Sequence, residues 1–136
     1  MPQPPTILET VLYADDIDAA EAFYRDVIGL AVIRKLPGKF VFLRAGAQML
    51  LIFQPDESAR PDPQNPIPRH GAKGPGHVCF RAPADEIPLW RGRLEAAGHA
   101  IEAEHVWPGS GARSIYTRDP AGNSVEFGEA RMWGLD

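Results

Sequence analysis

The chain has 136 residues, a formal net charge of −4, 44% apolar and 24% charged residues. That length holds one domain, or one domain built from two small halves. The acidic balance argues against non-specific nucleic-acid binding, which calls for a basic face. No uninterrupted apolar run is long enough to cross a membrane, and Met1-Pro2-Gln3-Pro4-Pro5 lacks the basic and apolar regions of a signal peptide. Cys79 is the only cysteine, so no internal disulfide forms and the cytoplasm is the expected compartment.

Ile7 to Ala14 reads as a strand, with Glu9, Val11 and Tyr13 on one face and Leu8, Thr10 and Leu12 on the other. Asp15-Asp16 offers a helix N-cap. Ile17, Ala20, Phe23, Tyr24, Val27 and Ile28 then recur at helical spacing, and Gly29 closes the helix. Ala31 to Leu36, Phe40 to Arg44 and Gln48 to Phe53 read as three further strands, punctuated by Pro37-Gly38 and Gly46.

From Gln54 to Gly76 the chain carries six prolines and little apolar periodicity, which reads as a linker between similar halves. Val78 to Ala82 is a strand, and Ala84 to Ala97 a helix that tolerates Pro88 in its first turn. Ala100 to Trp107, Ser114 to Arg118 and Asn123 to Phe127 complete the second half. Cys79, inside an apolar run, is expected to be a buried, inert thiol.

This is βαβββ written twice: an α+β fold of two tandem units, residues 5–54 and 76–130, joined by a Pro-rich linker at 55–75. Glu9 and His77 then take equivalent places on equivalent strands, and aligning Gly46 with Gly122 pairs Leu50 with Glu126. Two such units with curved sheets predict a concave surface where their interior faces meet. A histidine and a carboxylate on neighbouring interior strands are what a catalytic metal ion needs. A lone carboxylate such as Glu9 in a β-rich run also calls for a partner or for solvent.

The ordered motifs Glu9-Thr10-Val11-Leu12-Tyr13-Ala14-Asp15-Asp16-Ile17, Ala22-Phe23-Tyr24, Gly29-Leu30, Gly76-His77-Val78 and Asp119-Pro120-Ala121-Gly122-Asn123-Ser124-Val125-Glu126 resemble the vicinal oxygen chelate superfamily. That superfamily includes glyoxalase I, fosfomycin-resistance, bleomycin-resistance and extradiol dioxygenase families. The resemblance implies metal ligands on the first and last strands of each half. His77 and Glu126 match that pattern. Glu9 stands where histidine is usual, and Leu50-Leu51 stands where glyoxalases carry glutamate.

The expected site therefore holds one divalent ion (Mn, Fe, Ni or Zn) on Glu9, His77 and Glu126. Glu9 is alternatively a general base beside the ion. Tyr13, His70, Arg113 and Tyr116 are candidate substrate contacts; strand alternation could turn His105 to the pocket, but it reads first as a satisfied structural histidine. The resemblance implies a metal-dependent lyase, isomerase or dioxygenase acting on a small oxygenated metabolite, and a homodimer. The other reading is a metal-free, bleomycin-resistance-type binding protein that uses the acidic pocket and the aromatics Trp107, Tyr13 and Tyr116.

Overall fold

The computed structural model describes residues 1–135. The chain divides into two compact units, Met1–Lys73 and Gly74–Asp136. In the first, β1 (Glu9–Tyr13), β2 (Ala31–Leu36), β3 (Phe40–Ala45) and β4 (Gln48–Phe53) form a sheet of order β1-β4-β3-β2. In the second, β5 (His77–Arg81), β6 (Ala103–Val106), β7 (Arg113–Arg118) and β8 (Ser124–Gly128) form a sheet of order β5-β8-β7-β6. Among the described residues, only β1–β4 and β5–β8 pair in parallel. The parallel closure needs a crossover, and the helix after each first strand supplies it.

Each sheet buries one face under its helix. In the first unit Leu12, Val41, Leu43, Leu50 and Ile52 meet Ile17, Ala20, Phe23 and Tyr24, all 3% exposed or less. In the second, Ile115, Val125 and Phe127 lie on the face covered by Ile87 and Leu94. Each large side chain so buried contributes roughly 1.5–3 kcal/mol. The opposite face of each sheet is left for other work.

The first helix starts where the sequence says, with the Asp16 carboxylate accepting from Ala19 N–H at 3.0 Å. It does not stay α-helical. After α1 (Ile17–Ala22) the chain widens into a π-helix, Phe23–Ile28, which keeps Phe23, Tyr24 and Ile28 buried together. Gly29, at φ 94°, terminates it. The second helical stretch begins as a 3₁₀ turn at Ala84–Glu86 before α3 (Ile87–Ala96), with Pro88 in the first turn. Strand β1 starts two residues later than the alternation suggests, since Ile7 and Leu8 are exposed.

The Pro-rich stretch is more ordered than its composition suggests. Pro55–Ala59 forms a short helix, α2, capped by the Gln54 side chain, which accepts from Glu57 N–H at 2.8 Å. The chain then returns: His70 N–H donates to the Ser58 carbonyl at 3.2 Å. Gly71 is needed for that return, because a Cβ there would meet the Pro55 carbonyl oxygen at 2.8 Å. Residues through Lys73 therefore belong to the first unit.

Candidate functional site

Strand register decides which side chains share a face. In the second unit His77 and Cys79 pair with Ser124 and Glu126, and Tyr116 and Ser114 pair with Glu126 and Gly128. These residues lie on the face away from α3, and His105 joins them opposite Ser114. Arg113 alternates to the other face, where its guanidinium donates to the Ala84 carbonyl at 2.8 Å. The structure does not bring it to Glu126.

Glu126 is buried at 5% exposure, and its Oε2 has no hydrogen-bond partner among the described residues. Its Oε1 lies 3.2 Å from His77 Nε2. On the other side of the ring, His77 Nδ1 is 3.1 Å from the Ser124 carbonyl oxygen. A carbonyl only accepts, so Nδ1 carries a hydrogen. In the neutral imidazole Nε2 then presents a lone pair to a carboxylate oxygen. A proton on Nε2 would relieve Oε1 and still leave Oε2 bare. A cation shared by the carboxylate and Nε2 answers both deficits, and a metal-binding histidine is characteristically held by its other nitrogen in this way. His77 and Glu126 thus offer two donors to a cation, while among the described residues no three histidine, cysteine or carboxylate groups come together to hold one.

The turn before β8 sets this geometry. The Asp119 carboxylate accepts from Ala121 and Asn123 N–H, both at 2.9 Å, and from the Asn123 amide at 2.9 Å. Asn123 Oδ1 in turn accepts from Gly76 N–H at 2.7 Å. The residue before His77 is therefore tied to the residue before Ser124, which fixes the register of β5 against β8.

Around Glu126, the burial of Cys79 pushes its thiol up to about 12, with the Glu126 charge as the next cause. Burial, then the same charge, raises the Tyr116 hydroxyl. Cys79 is exposed, not enclosed as its apolar run suggests, because it points to the open face. Gly128 is packed directly beneath the carboxylate: a Cβ there would lie 3.1 Å from Glu126 Oε2 and 2.9 Å from Ser114 Oγ. Ser114 Oγ accepts the Trp107 indole N–H at 2.9 Å. Period-two alternation from Glu126 reaches Gly128 on the same strand, whereas Ser114 and Cys79 join the face only through the register of β7 and β5 with β8.

In the first unit Glu9, Val11 and Tyr13 pair with Met49, Leu51 and Phe53. By the equivalence of Val11 with Cys79, the residue matching Glu126 is Leu51. The expected pairing with Leu50 is corrected by one residue: Leu50 faces the helix at 2% exposure, and a one-residue slip inverts the face. Tyr13 and His70 are brought together, the phenol oxygen 2.7 Å from His70 Nδ1. His70 also stands edge-on to Phe53, with ring centroids 4.6 Å apart.

The Glyoxalase/Bleomycin resistance protein/Dioxygenase superfamily model matches residues 6–127. The chain belongs to this superfamily. A crystal structure of a lactoylglutathione lyase from Agrobacterium tumefaciens is similar at TM-score 0.93 and 58% identity, covering 97% of this chain and 98% of that one. The uncharacterized protein PA2024 of Pseudomonas aeruginosa is 33% identical, covering 96% of this chain and 92% of that one. A virulence protein of Salmonella typhimurium shares the architecture at TM-score 0.68 and 27% identity, covering 93% and 98%. Membership in the glyoxalase superfamily accounts for the paired four-stranded sheets and helices. Among the described residues no helix is long and apolar enough to cross a membrane.

Proposed function

We propose that this glyoxalase-superfamily chain is a metal-dependent enzyme of the lyase or isomerase type acting on a small oxygenated metabolite. The observation that carries the reading is the buried, partnerless Oε2 of Glu126 beside a His77 Nε2 whose opposite nitrogen is already committed. Leaving such an oxygen bare costs roughly 1–3 kcal/mol, a penalty that a binding role explains. The 58% identity to a protein named lactoylglutathione lyase supports the lyase class. Leu51 at the place matching Glu126 sets the chain apart from a site with a glutamate in each half.

His77 and Glu126 would hold the ion from the second unit. The bound ion would supply Lewis-acid polarisation of adjacent substrate oxygens. The chain's own part is to fix the ligands and to shape the site. Ser124 orients His77, Gly128 leaves room for the Glu126 carboxylate, and the Tyr116 hydroxyl stands opposite Glu126 as a donor to substrate. Carboxylate ligation shifts the preference towards oxygen-preferring ions such as Mn²⁺ or Fe²⁺. We further propose a homodimer, as the superfamily commonly forms.

Elemental analysis of untagged protein tests the reading. About one Mn, Fe, Ni or Zn per chain is expected in the wild type, lost in Glu126→Gln and in His77→Ala. No stoichiometric metal in the wild type, even after reconstitution, would overturn it and leave the metal-free binding protein as the reading to pursue.

A further inference from the structure

The first unit carries a cavity of about 680 Å³, the size of an ordinary small-molecule site. Its floor is the open face of the sheet. Phe40 and Phe42 stack there with centroids 4.2 Å apart, and Phe53 stands edge-on to Phe42 at 5.3 Å. All three rings are only half-buried, so the floor remains available. Helix α2 and residues 60–70 form the opposite wall.

The rim is cationic. Arg34 pairs in register with Phe42, which puts it on the same face as the rings, and Lys39 lines the same cavity. Neither has an acidic partner among the described residues. The two carboxylates of the lining are engaged: Glu57 pairs with Arg60 at 2.8 Å, and Asp62 accepts the Gln64 N–H at 3.1 Å. A floor of three aromatic side chains takes an apolar, aromatic body. The lining's four cations, Arg34, Lys39, Arg60 and Arg69, outnumber its two carboxylates, Glu57 and Asp62, which disfavours a cationic ligand and suits an anion, the Arg34 fork matching a carboxylate in particular.

We propose that this cavity binds an aromatic monocarboxylate, its ring against Phe40, Phe42 and Phe53 and its carboxylate towards Arg34 and Lys39. The inference stands on the first unit alone and does not depend on the metal reading. It is tested on the full chain after chelator treatment, so that a carboxylate has no metal to bind. The probes are 1-naphthoate and the neutral 1-naphthalenemethanol, titrated by calorimetry at low salt.

Naphthoate is expected to bind at least about fivefold more tightly than the alcohol, the margin of a charge-assisted contact. Arg34→Gln with Lys39→Gln removes that preference while leaving alcohol binding unchanged, and Arg34→Lys retains part of it. Phe42→Leu weakens both probes. Backbone amide shifts on naphthoate addition cluster at Phe40, Phe42 and Phe53. The exposed rim variants keep the thermal midpoint, so a loss of binding is not a loss of fold. No saturable binding below about 10 mM, equal affinity for the two probes, a preference that survives the double variant, or shifts centred on His77 and Glu126 would each overturn the proposal.

Discussion

Glu126 and Leu51 occupy matching places in the two sheets, and the contrast between them states the trade the second unit makes. Leu51 sits on its face at no electrostatic cost. Glu126 keeps a bare oxygen in a buried position. Glu126→Leu should therefore stabilise the metal-free protein by about 1–3 kcal/mol while abolishing metal binding, a pattern familiar where stability is given up at a functional site. Denaturant melts of chelator-treated wild type and variant decide this. A less stable variant would mean that the carboxylate is already satisfied without a ligand. Gly128→Ala tests the same spot from below. Its Cβ would crowd Glu126 Oε2 and Ser114 Oγ, so metal affinity should fall at least about tenfold, with overpacking costing about 1–3 kcal/mol of stability. Equal metal affinity in competition titrations would show that the carboxylate does not need that space. His77 and Glu126 were legible as a pair from their residue types and the motifs around them. Gly128 was not, because the sequence shows no sign of how near a neighbouring side chain comes.

Strand placement depends on the turn from Asp119 to Asn123. Its side chains do two things at once: they close the turn, and they reach across to Gly76 ahead of β5. Asn123→Ala removes the acceptor of a part-buried backbone N–H and should cost about 1–3 kcal/mol. Hydrogen exchange should rise first at Gly76 and His77 and less at Ile115 or Val125. A uniform rise would show that Asn123 supports the fold in general and not the β5–β8 register. The Pro-rich segment teaches a complementary lesson about elements. Its prolines and lack of periodicity suggest a passive linker, yet Gln54 caps a turn of helix and Gly71 lets the return pack against Pro55. The signals were present as Gln-Pro and His-Gly, but their partners lie some 15 residues apart in the chain, beyond the reach of local pattern. Similarly, helical spacing gives Phe23, Tyr24 and Ile28 a buried face, and nothing in that spacing announces the π form they take.

For the molecule as a whole, pH and metal are the two external levers. Glu129 is buried at 4% exposure. Its hydrogen bond from Arg131 holds its carboxyl below the usual carboxylate range, with burial opposing and the Arg113 N–H assisting. A carboxyl lowered in the folded state contributes stability that is fully present above its unfolded value and is lost as pH falls through the lowered folded value. Asp26 and Asp56 are lowered too, by Arg25 and Lys73 first, but on exposed pairs that solvent screens. Acid unfolding should thus be shallower in Glu129→Gln than in wild type, followed by circular dichroism from neutral pH down through the carboxylate range. Superimposable profiles would remove Glu129 from the account. Metal acts in the other direction: at a free concentration of a hundred times Kd it should add about 2.7 kcal/mol, an increment absent from Glu126→Gln.

The sequence by itself determined the doubled βαβββ pattern, because period-two and period-3.6 spacing, caps and turns are written locally and twice. It also singled out His77 and Glu126, which the strand register then places side by side, Nε2 3.2 Å from Oε1. Only the tertiary structure decided that Leu51 and not Leu50 answers Glu126, that Arg113 turns away from the site, and that Tyr13 and His70 meet. Each of these depends on register or on a contact between distant segments. A strand's face inverts with a shift of one residue, and nothing within a single strand fixes that shift; the pairing with its neighbour does.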